Sequence, residues 1–115
     1  TLTACSNDYK FDDIFYRPLK ALGKKDDLLI CISTSGNSKN LIKVTKEAKR
    51  KKIHVISFLG KQGGKLRNMS DVEIIVPSNN VARIQECHIF LGHFIFEQVE
   101  NLILKKNKVK KNRKL

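Results

Sequence analysis

A chain of 115 residues has room for one domain and excludes a two-domain enzyme. Apolar residues make up 41% and charged residues 30%, enough for a packed core and too balanced for global disorder. The net charge of +12 invites a nucleic-acid reading, but residues 105–115 alone carry seven basic residues and no acid, so most of the excess sits in one terminal run. Charges interrupt every apolar stretch before the ~20 residues that a membrane span needs. Cys5, Cys31 and Cys87 stand singly inside apolar stretches. They read as reduced, buried thiols of a cytoplasmic protein, not as a disulfide framework or a CxxC zinc site. The chain opens at Thr1 without an initiator Met or a leader pattern, and reads as part of a longer product.

Asp12 and Asp13 precede an apolar-periodic segment, residues 14–22, that Gly23 closes. This is helix punctuation, although Pro18 lies too deep for the first turn and should kink or shorten the helix. Residues 27–33 form a nearly continuous apolar run, the pattern of a strand buried on both faces. A polar loop, residues 33–38, leads into an amphipathic helix over 40–52. A second buried strand spans 53–59, and a short helical turn follows Gly63 and Gly64. Residues 72–76 make the third strand, stopped by Pro77, and a long helix runs from Val81 to about Lys105.

Strand, helix, strand, short helix, strand and long helix is the alternation of an α/β fold with a parallel sheet and helices on both faces. Ligands in such sheets sit at the carboxyl ends of the strands. Three strands make a narrow sheet. Further strands upstream, or another chain, are expected to complete the layer.

The first of these strand ends carries the chemistry. Ser33, Thr34, Ser35 and Ser38 supply four hydroxyls, with Asn37 and a flexible Gly36, at the amino end of a helix. Backbone N–H groups and the helix dipole favour an anion there, and the hydroxyls can donate to phosphate oxygens. An ordinary N-cap explains one or two hydroxyls, not four. Residues 60–65 (GKQGGK) superficially suggest a nucleotide P-loop, but Leu66 follows Lys65 where Ser or Thr is needed.

Four stretches together carry a more specific resemblance. They are residues 4–8 (ACSND) with 11–15 (FDDIF), 32–38 (ISTSGNS), 60–65 (GKQGGK), and 82–88 (ARIQECH) ending at His93. In this order they resemble the carboxyl-terminal part of the phosphoheptose isomerases, a branch of the sugar isomerase (SIS) family. The resemblance implies a three-layer α/β sandwich, partial over 1–104; residues 105–115 read, from their run of like charge, as a basic, disordered tail. It implies conversion of sedoheptulose 7-phosphate to D-glycero-D-manno-heptose 7-phosphate, towards bacterial surface heptose. By the same resemblance, Ser33, Thr34, Ser35 and Ser38 hold the phosphate, and Asn7 and Asp8 contact the sugar. Gln85 and His93 contact substrate and, in zinc-containing members, Zn2+. A homotetramer with active sites between protomers is likewise implied.

Isomerisation of a ketose to an aldose passes through an enediol and needs an acid, a base and oxyanion stabilisation. His93 is the titratable candidate for proton transfer, since imidazole titrates near neutrality. Gln85 and His93 are eight residues apart, ~12 Å and ~80° on a straight helix, so two protomers or a break near Gly92 must bring them to one site. His88 falls on the apolar side of this helix and reads as structural. The family's Asn-Gly-Gly-Ser segment and His-x-x-x-Glu helix are missing from these residues. Two other readings stand beside the isomerase. One is a non-catalytic SIS module that senses a sugar phosphate or docks on a partner. The other is nucleic-acid binding, which rests on the tail alone.

Overall fold

In the computed structural model, which describes residues 2–112 and side chains as far as Lys106, three parallel strands form one sheet in the order β1-β2-β3. The strands are β1 (Leu28–Ser33), β2 (His54–Gly60) and β3 (Val72–Val76). The helices are α1 (Leu2–Asp8), α2 (Tyr16–Leu22), α3 (Lys39–Arg50) and α4 (Val81–Asn112). Single 3-10 turns lie at Phe11–Asp13 and Gly64–Leu66. The three strand runs read from apolar patterning are therefore present and parallel.

Alternation along each strand sends one set of side chains to each face. Cys31 and Val55 turn to α3, where they pack with Val44, Ala48 and Ile53. Phe58 turns to the opposite face and meets the imidazole of His88 on α4, ring centroids 6.0 Å apart. The result is three layers: α2 and α3, the sheet, and the first turns of α4. Register is held partly by Asp71, whose backbone N–H donates to the Val55 carbonyl while its carboxylate accepts from the Val55 N–H at 2.7 Å. Asp71 thus extends the ladder to the residue before β3, and a one-residue slip would break both bonds.

Two sequence expectations change, and two segments are defined more closely. The helix expected over 14–22 is present in shortened form as α2, which starts at Tyr16 after a 3-10 turn at Phe11–Asp13. Pro18 then falls in the first turn of α2, where its missing N–H costs nothing. Asn7 and Asp8 end the helix α1. Cys87 is exposed, whereas Cys5 and Cys31 are buried as expected. Finally, α4 does not stop near Lys105 but continues to Asn112. The boundary between 1–104 and the basic run is not marked by a helix end. Residues 113–115 of that run lie outside the described residues.

Candidate functional site

The β1–α3 loop is fixed by its own hydroxyls and by a second loop. Gly36 has φ +65°, and the Ser33 hydroxyl accepts from its N–H at 3.0 Å. The Ser35 hydroxyl accepts from the N–H of Asn37 at 3.2 Å. The glycine turn after β2 then closes on this loop. Leu66 N–H donates to the Gly36 carbonyl at 2.9 Å, and Lys65 N–H donates to Asn37 Oδ1 at 3.0 Å. A Cβ on Gly36 would stand 1.9 Å from the Gly63 carbonyl oxygen, and one on Gly64 2.3 Å from the Ser35 carbonyl oxygen. Backbone contact this close admits glycine alone. The GKQGGK stretch is thus a brace for the serine loop, not a phosphate cradle of its own.

Ser38 occupies the N-cap position of α3, yet its side chain makes no capping hydrogen bond. Its hydroxyl lies 3.4 Å from that of Ser33. The ordinary N-cap explanation therefore does not account for it. Beside the loop is a cleft of about 540 Å3 lined by Ile32, Ser33, Thr34, Ser35, Ser38, Gln85, His88 and Ile89. It lies at the carboxyl end of β1, where the topology places ligands. Neutral donors and acceptors line it, with no carboxylate to repel an anion. The positive end of α3 and the basic chain as a whole attract one.

The structure brings together Ser33, Thr34, Ser35, Ser38 and Gln85 out of the residues singled out by sequence. It does not add the others. Asn7 and Asp8 are exposed at the end of α1, the Asn7 carboxamide donating to the Asp8 carboxylate at 3.0 Å, and neither lines this cleft. His93 borders a separate, shallow concavity with Phe90, Phe94 and Glu97. Sequence reasoning missed His88 as a wall of the cleft. Its spacing of three from Gln85 was the available signal, since residues i and i+3 share a helix face.

Zn2+ was expected on Gln85 and His93. The helix that carries both is continuous through Gly92, so a break there is not the way they reach one ion. No cluster of three or more His, Cys, Asp or Glu capable of holding a metal occurs among the described residues. One carboxamide and one imidazole in different concavities do not make a zinc donor set, and the residues present do not fit the ion by themselves.

The SIS domain family matches residues 7–88, a stretch that includes the serine loop, its glycine brace and the start of α4. The chain belongs to the SIS domain family. Within that family, a phosphoheptose isomerase of Leptospira biflexa is 50% identical over 99 residues, covering 86% of this chain and 51% of the relative. A phosphoheptose isomerase of Helicobacter pylori is 45% identical over 106 residues, covering 92% of this chain and 55% of the relative. The chain spans about half the length of the curated relatives it matches. Among solved structures, the phosphoheptose isomerase of Neisseria gonorrhoeae aligns with a TM-score of 0.83 at 46% identity, over 85% of this chain and 56% of that one. One from Francisella tularensis gives 0.84 at 40% identity, over 87% of this chain and 56% of that one. The parallel α/β architecture described above is thus that of the SIS domain. No helix among the described residues is long and apolar enough to cross a membrane.

Proposed function

We propose that this chain supplies the phosphate-holding part of a phosphoheptose isomerase. Its substrate is sedoheptulose 7-phosphate and its product D-glycero-D-manno-heptose 7-phosphate. The observation that carries the reading is the cleft that gathers Ser33, Thr34, Ser35, Ser38 and Gln85 at the end of β1, in a chain half identical to a phosphoheptose isomerase over most of its length. Thr34, Ser35 and Ser38 donate hydroxyl hydrogens to the phosphate. Ser33 contributes mainly by holding the turn at Gly36. Gln85 reaches the sugar from the opposite wall.

The reaction removes a proton from C1, protonates the C2 oxygen to give the enediol, returns a proton to C2 and releases the one on the C1 oxygen. His93 performs one of these transfers, in a site that it completes for another protomer, because it stands apart from the serine cleft of its own chain. Asn7 and Asp8 contact the sugar in the same composite site. This calls for a homotetramer whose active sites lie between protomers. The exposed apolar side chains of Phe90, Phe94, Phe96 and Leu102 on α4 support such burial. Zn2+ needs donors from outside this chain, and no step above depends on it. Single, unpaired cysteines and a phosphorylated substrate favour the cytoplasm.

The test is NMR of sedoheptulose 7-phosphate in heavy water with the protein. Aldoheptose phosphate carrying deuterium at C2 is the expected product. Unchanged ketose, with the amides of residues 33–38 still responding to ligand, favours a second reading. That reading is a non-catalytic SIS module that senses the sugar phosphate, and the distance of His93 from the cleft is the observation in its favour.

A further inference from the structure

One buried side-chain atom, on a residue that lines the cleft, has no hydrogen-bond partner among the described residues. His88 is 3% exposed. Its Nε2 lies 3.0 Å from the Leu59 carbonyl oxygen at the end of β2. A carbonyl can only accept, so Nε2 carries the proton and donates. That leaves Nδ1, which has no hydrogen-bond partner among the described residues. In the neutral ring with its proton on Nε2, Nδ1 is an acceptor without a donor. Buried acceptors of this kind are uncommon and call for a partner.

We propose that His88 contacts the substrate: its Nδ1 accepts a hydrogen bond from a hydroxyl of the sugar phosphate held in the serine-loop cleft. The inference rests on the phosphate reading of that cleft and assigns it a second, sugar-reading wall. The chemistry selects the partner. A lone pair repels phosphate oxygens, which are acceptors too, so the imidazole cannot serve the phosphate group. Sugar hydroxyls are donors. The ring lines the cleft together with Gln85, three residues earlier on α4, and Thr34, Ser35 and Ser38 across it. Its Nε2–H bond to Leu59 fixes the tautomer and acts as a pivot. Nδ1 itself is buried in the unliganded chain, so the ring must turn it towards the bound hydroxyl on ligand entry. Inorganic phosphate should leave His88 untouched, whereas a ketose phosphate should engage it.

The experiment uses the full chain labelled with 15N in histidine and in the backbone, titrated with sedoheptulose 7-phosphate and, separately, with inorganic phosphate. The expected result is an upfield shift of the His88 Nδ1 resonance with the sugar phosphate only, while both ligands move the amides of residues 33–38. Nδ1 unmoved by the sugar phosphate, with those amides responding, overturns the inference and leaves the phosphate reading standing. Amides that respond to neither ligand remove the phosphate reading and the inference with it. Two variants separate contact from scaffolding. His88→Gln retains a donor near the Nε2 position and has no acceptor at the Nδ1 position, its own carboxamide oxygen lying further out. It should bind sedoheptulose 7-phosphate about tenfold more weakly and inorganic phosphate as before. His88→Asn places its polar group near the Nδ1 position and cannot reach Leu59, so it should lose stability more than sugar-phosphate affinity. Equal loss for both ligands in His88→Gln would assign His88 a purely structural role.

Discussion

The loops at the carboxyl end of the sheet and the outer half of α4 answer opposite requirements. At the sheet end, polar groups are paired within the chain: Ser33 with Gly36, Ser35 with Asn37, Asn37 with Lys65. The two loops approach until only glycine fits between them. Along α4, Phe90, Phe94, Phe96, Val99, Leu102 and Ile103 are all exposed, with Phe90 and Phe94 stacked 6.4 Å apart. Exposed apolar side chains in this number are a surface for something else to cover. The loops make their polar contacts with each other, whereas the outer part of α4 leaves its apolar side chains uncovered.

Four experiments bear on this contrast, from the largest expected effect to the smallest. Gly36→Ala forces a left-handed φ on a β-carbon and drives it into the Gly63 carbonyl. It should lower stability by about 3 kcal/mol, read as a lower urea midpoint at unchanged slope. An unmoved midpoint would mean that the two loops do not touch in solution. Next, replacing Phe90 and Phe94 together by Asp should weaken self-association at least about a hundredfold in sedimentation, because two buried charges oppose the interface. The phosphate response of residues 33–38 should survive that change. Its loss would join the two regions that the structure separates.

Thiol labelling gives a smaller, graded effect. Burial pushes the Cys31 thiol up from its ordinary value, against a weaker opposing hydrogen bond from Thr45, so little thiolate forms there. Exposed Cys87 should react about a hundredfold faster than Cys31, as mass spectrometry of partly labelled protein would reveal. Comparable rates would mean that the β1–α3 core opens readily. The smallest effect concerns Glu47, which Arg50 grips in a bidentate hydrogen bond that holds the carboxyl below its usual 4.5. A lowered folded value stabilises the protein above the unfolded value and is lost as pH falls through the folded one. Glu47→Gln should thus lower stability slightly at neutral pH, leave it unchanged below the folded value, and so flatten the acid limb of the urea-midpoint profile.

The strands were legible because each is an apolar run of the right length between turn residues. The serine loop was legible because its position followed from the strand before it and the helix after it. The helix read over 14–22 starts two residues later in the structure, for a local reason. Acid residues and a terminal glycine bracket the segment like one helix, and only backbone geometry reveals the division that puts Pro18 in a first turn. Cys87 was misread because an apolar stretch was equated with burial, whereas α4 is apolar around most of its circumference and packs on the sheet by one side only. Gln85 and His93 could be given a separation from helix geometry, but not the cleft to which each belongs. His88 showed as a core residue. That its second nitrogen is unpaired depends on where the Leu59 carbonyl lies, which no spacing encodes.

The outer edge of β1 is where the sheet can grow. Among the described residues β1 pairs with β2 alone, and Leu28 and Ile32 are exposed along it. Such an edge is a row of unspent amides and carbonyls flanked by aliphatic side chains, able to recruit any extended segment that drifts past. A further strand, from a longer product or from another chain, has here a ready border on which to extend the sheet.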